Sequence, residues 1–321
     1  MPLGIAKAPC RSTLACANEH RPAALLEDLF WTWLARSRDQ QALGKRKHKF
    51  RFKNKLTNLD STTITLCLNL FLWVKFRRAN SGAKAHVLLD HDDHLPTHVL
   101  LTEARRSDVK MADSVLLNPG SIVAMDRGYN DYSLFGRWME AGVFFVTRLN
   151  DDAQFEIVEE RTKPQHRAIC VDQIIRLTLD KGRAGCPHLL RRVVALVPKK
   201  EDVIVPLTNH LEFGATTIAA VYRDGWKLEL PLRAIKQNMT VKAFVGTCEN
   251  ALRIRMWTAL ITLLLLKWLH HLSCANWSLS NLASLLRLNL STYRESTKWL
   301  NHPLETPPLP PPPGQLMLAL S

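Results

Sequence analysis

From Leu59 to Arg148 the polar and apolar positions change rhythm several times. Asp60–Leu68 (DSTTITLCL) alternates and is rich in β-branched residues, which predicts a half-buried strand. Ala85–Asp90 and Thr97–Thr102 are apolar runs with a polar turn between them, the pattern of a hairpin. Ser107–Leu117 has helical spacing, with Ser107 placed to cap it. Ser121–Met125 is a short apolar strand that stops at Asp126-Arg-Gly-Tyr129, Asp131–Ala141 is helical again, and Val143–Arg148 is a further strand. Three strands in meander order, followed by alternating helices and strands, predict an α/β fold with a mixed sheet.

The flanking stretches read differently. Ala23–Leu34 is a helix that carries Trp31 and Trp33, and Lys49–Lys53 alternates basic with aromatic residues, as a strand with Phe50 and Phe52 facing inward. Residues 149–214 hold short β-type runs (168–177, 189–197 and 203–207) between polar turns, and from Thr216 the pattern is helical for about 80 residues. Met256–Leu266 is the longest apolar stretch. It is shorter than the ~20 residues that span a bilayer and reads as a buried core helix. Pro303–Gly314 carries seven of the 17 prolines and predicts extended or disordered chain. The expected organisation is therefore 1–57 as an N-terminal helix and basic strand, 58–148 as the first part of a core, 149–214 as a β-rich insertion, 215–300 as the helical second part, and 301–321 as a tail.

Composition narrows the function. At 321 residues and 46% apolar content the chain can bury a large core. The net charge of +14 favours a polyanionic partner, nucleic acid first. Seven scattered cysteines with no Cys-x-x-Cys pair suggest free thiols in a reducing cytoplasm rather than disulfides or a zinc site. Met1–Ala15 has no continuous apolar run after a basic start, so no secretory signal is expected. The charge concentrates in Gly44–Lys55, where Lys45, Arg46, Lys47, Lys49, Arg51 and Lys53 are spaced to suit a phosphate backbone or to blunt a solvated edge strand.

The candidate chemistry starts from three residues seven apart: Tyr222, Glu229 and Lys236. On a helix a step of seven returns to nearly the same face, so the three form a polar stripe able to hold a metal ion and a phosphate. Asp60 at the start of the first predicted strand and Asp126 at the end of a later one are placed to face the crevice of an α/β sheet. Two Asp and one Glu can converge on Mg²⁺ (or Mn²⁺), and two such ions support phosphoryl transfer. Arg127 and Arg148 suit phosphate contacts or simple salt bridges, and Trp226 suits base stacking or packing. Asp90-His-Asp-Asp-His94 with His98 resembles a metal cluster but falls at a predicted turn, and His270-His271 reads as the polar edge of an apolar helix.

Asp60-Ser-Thr-Thr, Asp126-Arg-Gly-Tyr, Phe144-Phe-Val-Thr-Arg148 and Tyr222…Glu229…Lys236-Gln-Asn resemble the insertion-sequence-four family of DDE transposases, over about Ala17 to Leu290. The resemblance implies a ribonuclease-H-like fold with a β-rich insertion before the last catalytic helix. It implies Asp60, Asp126 and Glu229 as a metal-binding catalytic triad, and Tyr222 and Lys236 as contacts to phosphates at the transposon end. It further implies cleavage of element ends and their transfer to target DNA by a synaptic homodimer in the bacterial cytoplasm, at the nucleoid. The family signature places an Arg where this chain has Gly225, Pro231 stands in the same segment, and family members carry a longer N-terminal region. These departures point to a truncated or impaired copy. The alternatives are a DNA-binding remnant that inhibits an intact transposase, and a metal-dependent nuclease of the same fold.

Overall fold

The computed structural model of the chain describes residues 9–39, 49–65, 82–103, 112, 115–162, 168–197, 203–227, 248–275, 277–289 and 296–302. The expected helix at 107–117, the basic run Lys45–Lys47, the segment with Glu229 and Lys236, and the proline-rich tail lie wholly or largely outside these residues.

Ten described strands form one sheet: β1 (Leu56–Thr65), β2 (Gly82–Asp90), β3 (Pro96–Glu103), β4 (Ile122–Met125), β5 (Phe144–Arg148), β6 (Phe155–Glu160), β7 (Ile169–Leu177), β8 (Leu190–Leu196), β9 (Val203–Ile204) and β10 (Pro206–Thr208). The order is β3-β2-β1-β4-β5-β10-β8-β7-β6, with β9 paired to β8. β1, β2 and β3 form the antiparallel meander, while β4 and β5 run parallel to β1. This mixed sheet with flanking helices is the ribonuclease-H-like arrangement implied by the sequence resemblance. β10 pairs antiparallel with both β5 and β8, so the strands between 155 and 208 continue the same sheet.

Eight helices complete the described chain: α1 (Arg11–His20), α2 (Ala24–Asp39), α3 (Tyr132–Glu140), α4 (Asp180–Gly185), α5 (Ala215–Lys227), α6 (Glu249–Leu272), α7 (Leu279–Asn289) and α8 (Ser296–Asn301). The strand period of two divides their partners between the sheet's faces. On one face Leu56, Ile122, Ala124 and Val146 pack beneath Ile218, Val221 and Tyr222 of α5. On that face too, Ala85, Val87 and Leu89 meet Phe30 and Leu34 of α2 and Met256, Trp257 and Leu260 of α6. The opposite face presents Leu59, Val123, Met125 and Phe145 to Leu134, Phe135 and Trp138 of α3. α3 and α4 approach so closely that a Cβ on Gly136 would collide with the Gly185 carbonyl oxygen. α6 contains the apolar stretch read as a core helix, and no described helix is long and apolar enough to cross a membrane.

The Lys49–Lys53 segment departs from expectation. It bends rather than forming a strand, and β1 begins only at Leu56. The aromatic half of the reading survives, since Phe50 and Phe52 stack with ring centroids 5.1 Å apart and pack toward the α5 core. Aromatic contacts inside the fold, rather than ladder hydrogen bonds, set its conformation. Phe52 stacks on Phe213 and Phe213 on His210, and His210 meets Phe144 at a tilt, giving a continuous row of rings ahead of α5.

Behind that row, Arg191 of β8 and Asp172 of β7 form an almost wholly buried bidentate pair, Nε–Oδ1 at 2.8 Å and Nη2–Oδ2 at 2.7 Å. The same guanidinium donates to the carbonyls of Leu211 and Phe213, so it clamps the loop that leads into α5. Breaking a buried pair leaves an uncompensated charge, at about 3–5 kcal/mol. Asp172→Ala is expected to lower the free energy of unfolding by about that amount in a denaturant titration. The double variant Asp172→Leu/Arg191→Met, which removes both charges, should recover most of it.

His210 is buried, its Nδ1 accepts the Phe213 N–H at 3.3 Å, and burial holds the imidazole below the usual histidine range. Arg191 adds to this lowering, while Glu212 opposes it. The unfolded chain takes a proton near pH 6.5 and the folded one only at lower pH. The ring's contribution is therefore complete above that pH and is lost as the pH falls through 6.5 toward the folded pKa. Thermal unfolding midpoints should decline between pH 7 and pH 5, and His210→Phe, which keeps the stack, should flatten part of that decline.

Candidate active site

Asp60 is the fifth residue of β1, not its first as expected. The strand starts earlier because Leu56–Leu59 pair with β4, and it continues past Asp60 through its pairing with β2. The parallel register ends at Leu59 opposite Met125, so Asp60 and Asp126 are the next residues along two adjacent strands. Neighbouring strands lie about 4.8 Å apart. By alternation both side chains fall on the face that carries Leu56 and Asn58 on β1 and Ile122 and Ala124 on β4, the face covered by α5. Asp60 is partly exposed and accepts the Ser61 N–H at 2.6 Å. Asp126 is exposed and caps the 3-10 turn Arg127–Tyr129 by accepting the Arg127 N–H at 2.7 Å.

That turn is anchored from below. Tyr129 is buried, and its hydroxyl meets Nδ1 of His86 at 3.2 Å. Asn130 donates to the Arg148 carbonyl at 2.7 Å and accepts from Thr147 Oγ1 at 2.7 Å, which ties the end of β4 to the end of β5. Arg127 and Arg148 flank the carboxylates and both meet Asp151, at 3.0 and 3.7 Å. Of the two sequence readings of these arginines, the salt bridge is the one present here. Asp151 is 75% exposed, so the pair is readily exchanged for another anion.

α5 approaches from above with its C-terminal end over this point. Ile218, Val221, Tyr222 and Gly225 follow the spacing i, i+3, i+4, i+7 and lie against the sheet. The polar-stripe reading is corrected at its first member, because Tyr222 is only 2% exposed and belongs to the core. A phenol ring supplies enough apolar surface to serve as a core residue on a helix whose neighbouring turns are apolar. Gly225 also faces the sheet. A Cβ there would stand 3.1 Å from Asn58 Oδ1 and 3.6 Å from the Ala124 Cβ. Glu229 and Lys236 lie outside the described residues, as does the Trp226 side chain.

The donor chemistry suits a hard divalent cation, since Asp60 and Asp126 offer adjacent carboxylate oxygens on one face. A buried amide, Asn58, sits one step below with both Oδ1 and Nδ2 lacking a hydrogen-bond partner among the described residues. An orphaned buried polar group of this kind costs about 1–3 kcal/mol. Among the described residues no third His, Cys, Asp or Glu completes a metal cluster. Sequence reading passed over Asn58, because in a strand already rich in hydroxyl residues one more polar side chain two residues before Asp60 does not stand out.

The basic segment borders a second feature. Arg51 and Lys53 are exposed on a cleft of about 430 Å³ that is also lined by Asn54, Lys55, His91 and Asp92. It lies at the N-terminal end of β1, four residues or about 13 Å of strand from Asp60. Lys49 is bound inward instead, in an ion pair with the buried Asp224 of α5. Lys45, Arg46 and Lys47 lie outside the described residues. The Asp90–His94 segment forms a tight turn, as expected. Asp90 accepts from Lys55 at 2.5 Å and Asp93 from Arg38 at 2.8 Å, so its carboxylates are engaged with cations of the fold. His270 bonds the Trp277 carbonyl at the end of α6.

A family described as the transposase DDE domain matches residues 51–265 of the chain. Over 264 residues the chain is 31% identical to a protein named putative transposase y4zB of Sinorhizobium fredii, covering 81% of this chain and 71% of that one. It is 29% identical over 227 residues to a probable transposase for insertion sequence element IS5377 of Geobacillus stearothermophilus, covering 70% and 59%. It is 26% identical over 157 residues to transposase InsG for insertion sequence element IS4 of Escherichia coli, covering 46% and 34%.

Removing Lys49 takes a cation away from the buried Asp224 carboxylate near the C-terminal end of α5. Lys49→Met is expected to lower stability by about 1–3 kcal/mol. Adding Asp224→Asn should restore most of the loss in the same unfolding measurement.

Proposed function

The chain belongs to the DDE-domain transposases of insertion sequences, enzymes that act on DNA and depend on a divalent metal, and from this premise we propose the chemistry of its own site. Asp60, Asp126 and Glu229 hold Mg²⁺ (or Mn²⁺), and the protein cuts the ends of its element and transfers the freed 3′-hydroxyls to target DNA. The single observation that supports this best is that Asp60 and Asp126 each follow the last residue of the parallel β1–β4 pairing, Leu59 opposite Met125, on the face covered by α5. Glu229 lies four residues beyond Gly225 in sequence, and Gly225 faces Asn58 and Ala124.

When bound, a pair of such ions activates a water or a 3′-hydroxyl and stabilises the leaving oxygen of an in-line displacement. The chain's residues supply the rest. Asp60 and Asp126 are fixed by the β1–β4 register, and Asn130 and Tyr129 hold the Asp126 turn in place. Arg127 and Arg148 exchange Asp151 for phosphate oxygens of the DNA, gaining charge-assisted hydrogen bonds. Arg51 and Lys53 meet backbone phosphates farther along the duplex, with Lys45, Arg46 and Lys47. Lys236 is a further phosphate contact and Trp226 a stacking one, in a synaptic homodimer. The family signature also implies Tyr222 as a phosphate contact. Its burial supports a role in seating α5 instead. A second reading, an impaired copy that still binds DNA, is favoured by Gly225 standing where the family signature has an arginine.

The decisive measurement is Mg²⁺-dependent strand cleavage of the element's own terminal repeats, with a gel shift on the same DNA. Asp60→Asn and Asp126→Asn should each lower cleavage by about a thousandfold, several kcal/mol of transition-state stabilisation, while leaving the shift intact. Absence of cleavage by the unaltered chain, with binding retained, would establish the impaired reading. Replacing Arg51 and Lys53 by Gln should reduce the slope of log affinity against log salt by about 0.9 for each phosphate that is no longer neutralised.

A further inference from the structure

Asn58 stands apart from the other buried amides of the fold. Asn209 accepts the Phe145 N–H at 2.9 Å and donates to the Val143 carbonyl at 2.9 Å, and Gln173 donates to Glu160 at 2.6 Å and accepts from Arg192 at 2.8 Å. Asn58 is 4% exposed, and neither Oδ1 nor Nδ2 has a partner among the described residues. It sits on β1 two residues before Asp60, on the same face, and opposite Ala124, which is itself two residues before Asp126. The amide is therefore the floor of the carboxylate pair.

The neighbours of this floor are small. The Cβ that an L-residue would carry at position 225 would lie 3.1 Å from Asn58 Oδ1, closer than ordinary side-chain contacts allow without a shift. Gly225 leaves the amide its space, and Ala124 bounds it on the adjacent strand. A saturated amide could be held anywhere in the sheet. An unpartnered one, two residues before Asp60 on the same face and with Oδ1 toward position 225 of α5, is placed to serve the group that the two carboxylates hold.

We infer that Asn58 is a positioning residue of the metal site and that Gly225 is its matched partner. The amide orients the carboxylate oxygens and water ligands around the divalent ion held by Asp60 and Asp126. Supporting groups of this kind typically change metal affinity by about 10–100-fold when removed. Gly225 is then half of a fitted pair with Asn58, and an arginine introduced there displaces the amide. The inference rests on the metal-site reading proposed above.

The test uses the full chain and Mn²⁺ alone, without DNA, with affinity read by calorimetry and by the electron paramagnetic resonance signal of bound Mn²⁺. Asn58→Leu, which keeps the branching of the side chain, should leave the metal-free unfolding midpoint near that of the unaltered chain, because loss of an orphaned polar group offsets the bulk of two methyl groups, yet weaken Mn²⁺ binding about tenfold or more. Asn58→Ser should recover part of the affinity, and Gly225→Ala should weaken it by pressing on the amide. If Asn58→Leu fails to fold, Asn58→Ser and Gly225→Ala carry the same comparison. Unaltered Mn²⁺ affinity in these variants would overturn the inference. Asp60→Ala separates the two levels. Loss of binding there with Asn58→Leu unaffected refutes the role of Asn58 alone, whereas unchanged binding in Asp60→Ala refutes the metal site itself.

Discussion

Four residues of parallel pairing, Leu56–Leu59 against Ile122–Met125, fix the geometry of the site. A one-residue slip would turn Asp60 or Asp126 to the opposite face and leave the two carboxylates on different sides of the sheet. The apolar side chains on both faces resist such a slip. Leu56 and Ile122 are committed to the core beneath α5, and Leu59, Val123 and Met125 to the core beneath α3. Chemistry and stability therefore share one register, and misplacing an aspartate would bury several apolar side chains in the wrong layer.

The second requirement is a fixed position for α5, which comes from three attachments, two of them sharing Phe213. The Arg191–Asp172 pair holds the loop before the helix through two carbonyls. The row of rings from Phe52 to Phe144 packs beside that loop. Lys49 pairs with Asp224 near the other end. None of these groups touches the carboxylates, yet each constrains the angle at which the helix crosses β1 and β4.

Much of this was legible in the residues. The meander, the hairpin turn at Asp90–His94, the strand ending at Met125 and the helix at 132–140 all follow from period and turn chemistry. What escaped was what depends on partners distant in sequence. The start of β1 at Leu56 is set by β4, some 65 residues away, and no local alternation marks it. Lys49–Lys53 alternates like a strand but bends, because Phe50 and Phe52 stack on each other and on Phe213 instead of joining a ladder. Tyr222 looked like part of a polar stripe because a phenol counts as polar in sequence and as apolar in a core. Asn58 carries no mark of its own. Its significance comes from the glycine that faces it across 167 residues of chain.

Because β10 hydrogen-bonds to β5 on one side and to β8 on the other, the strands contributed by residues 155–208 are not an appended lobe on a tether. The sheet behaves as a single beam, with the aspartates near its middle and β6 at its far end. A load applied at the distal edge, such as a second protein or a bent duplex leaning on β6, would reach β5 as torsion through consecutive strand pairings, two of them bulged, rather than being absorbed by a hinge.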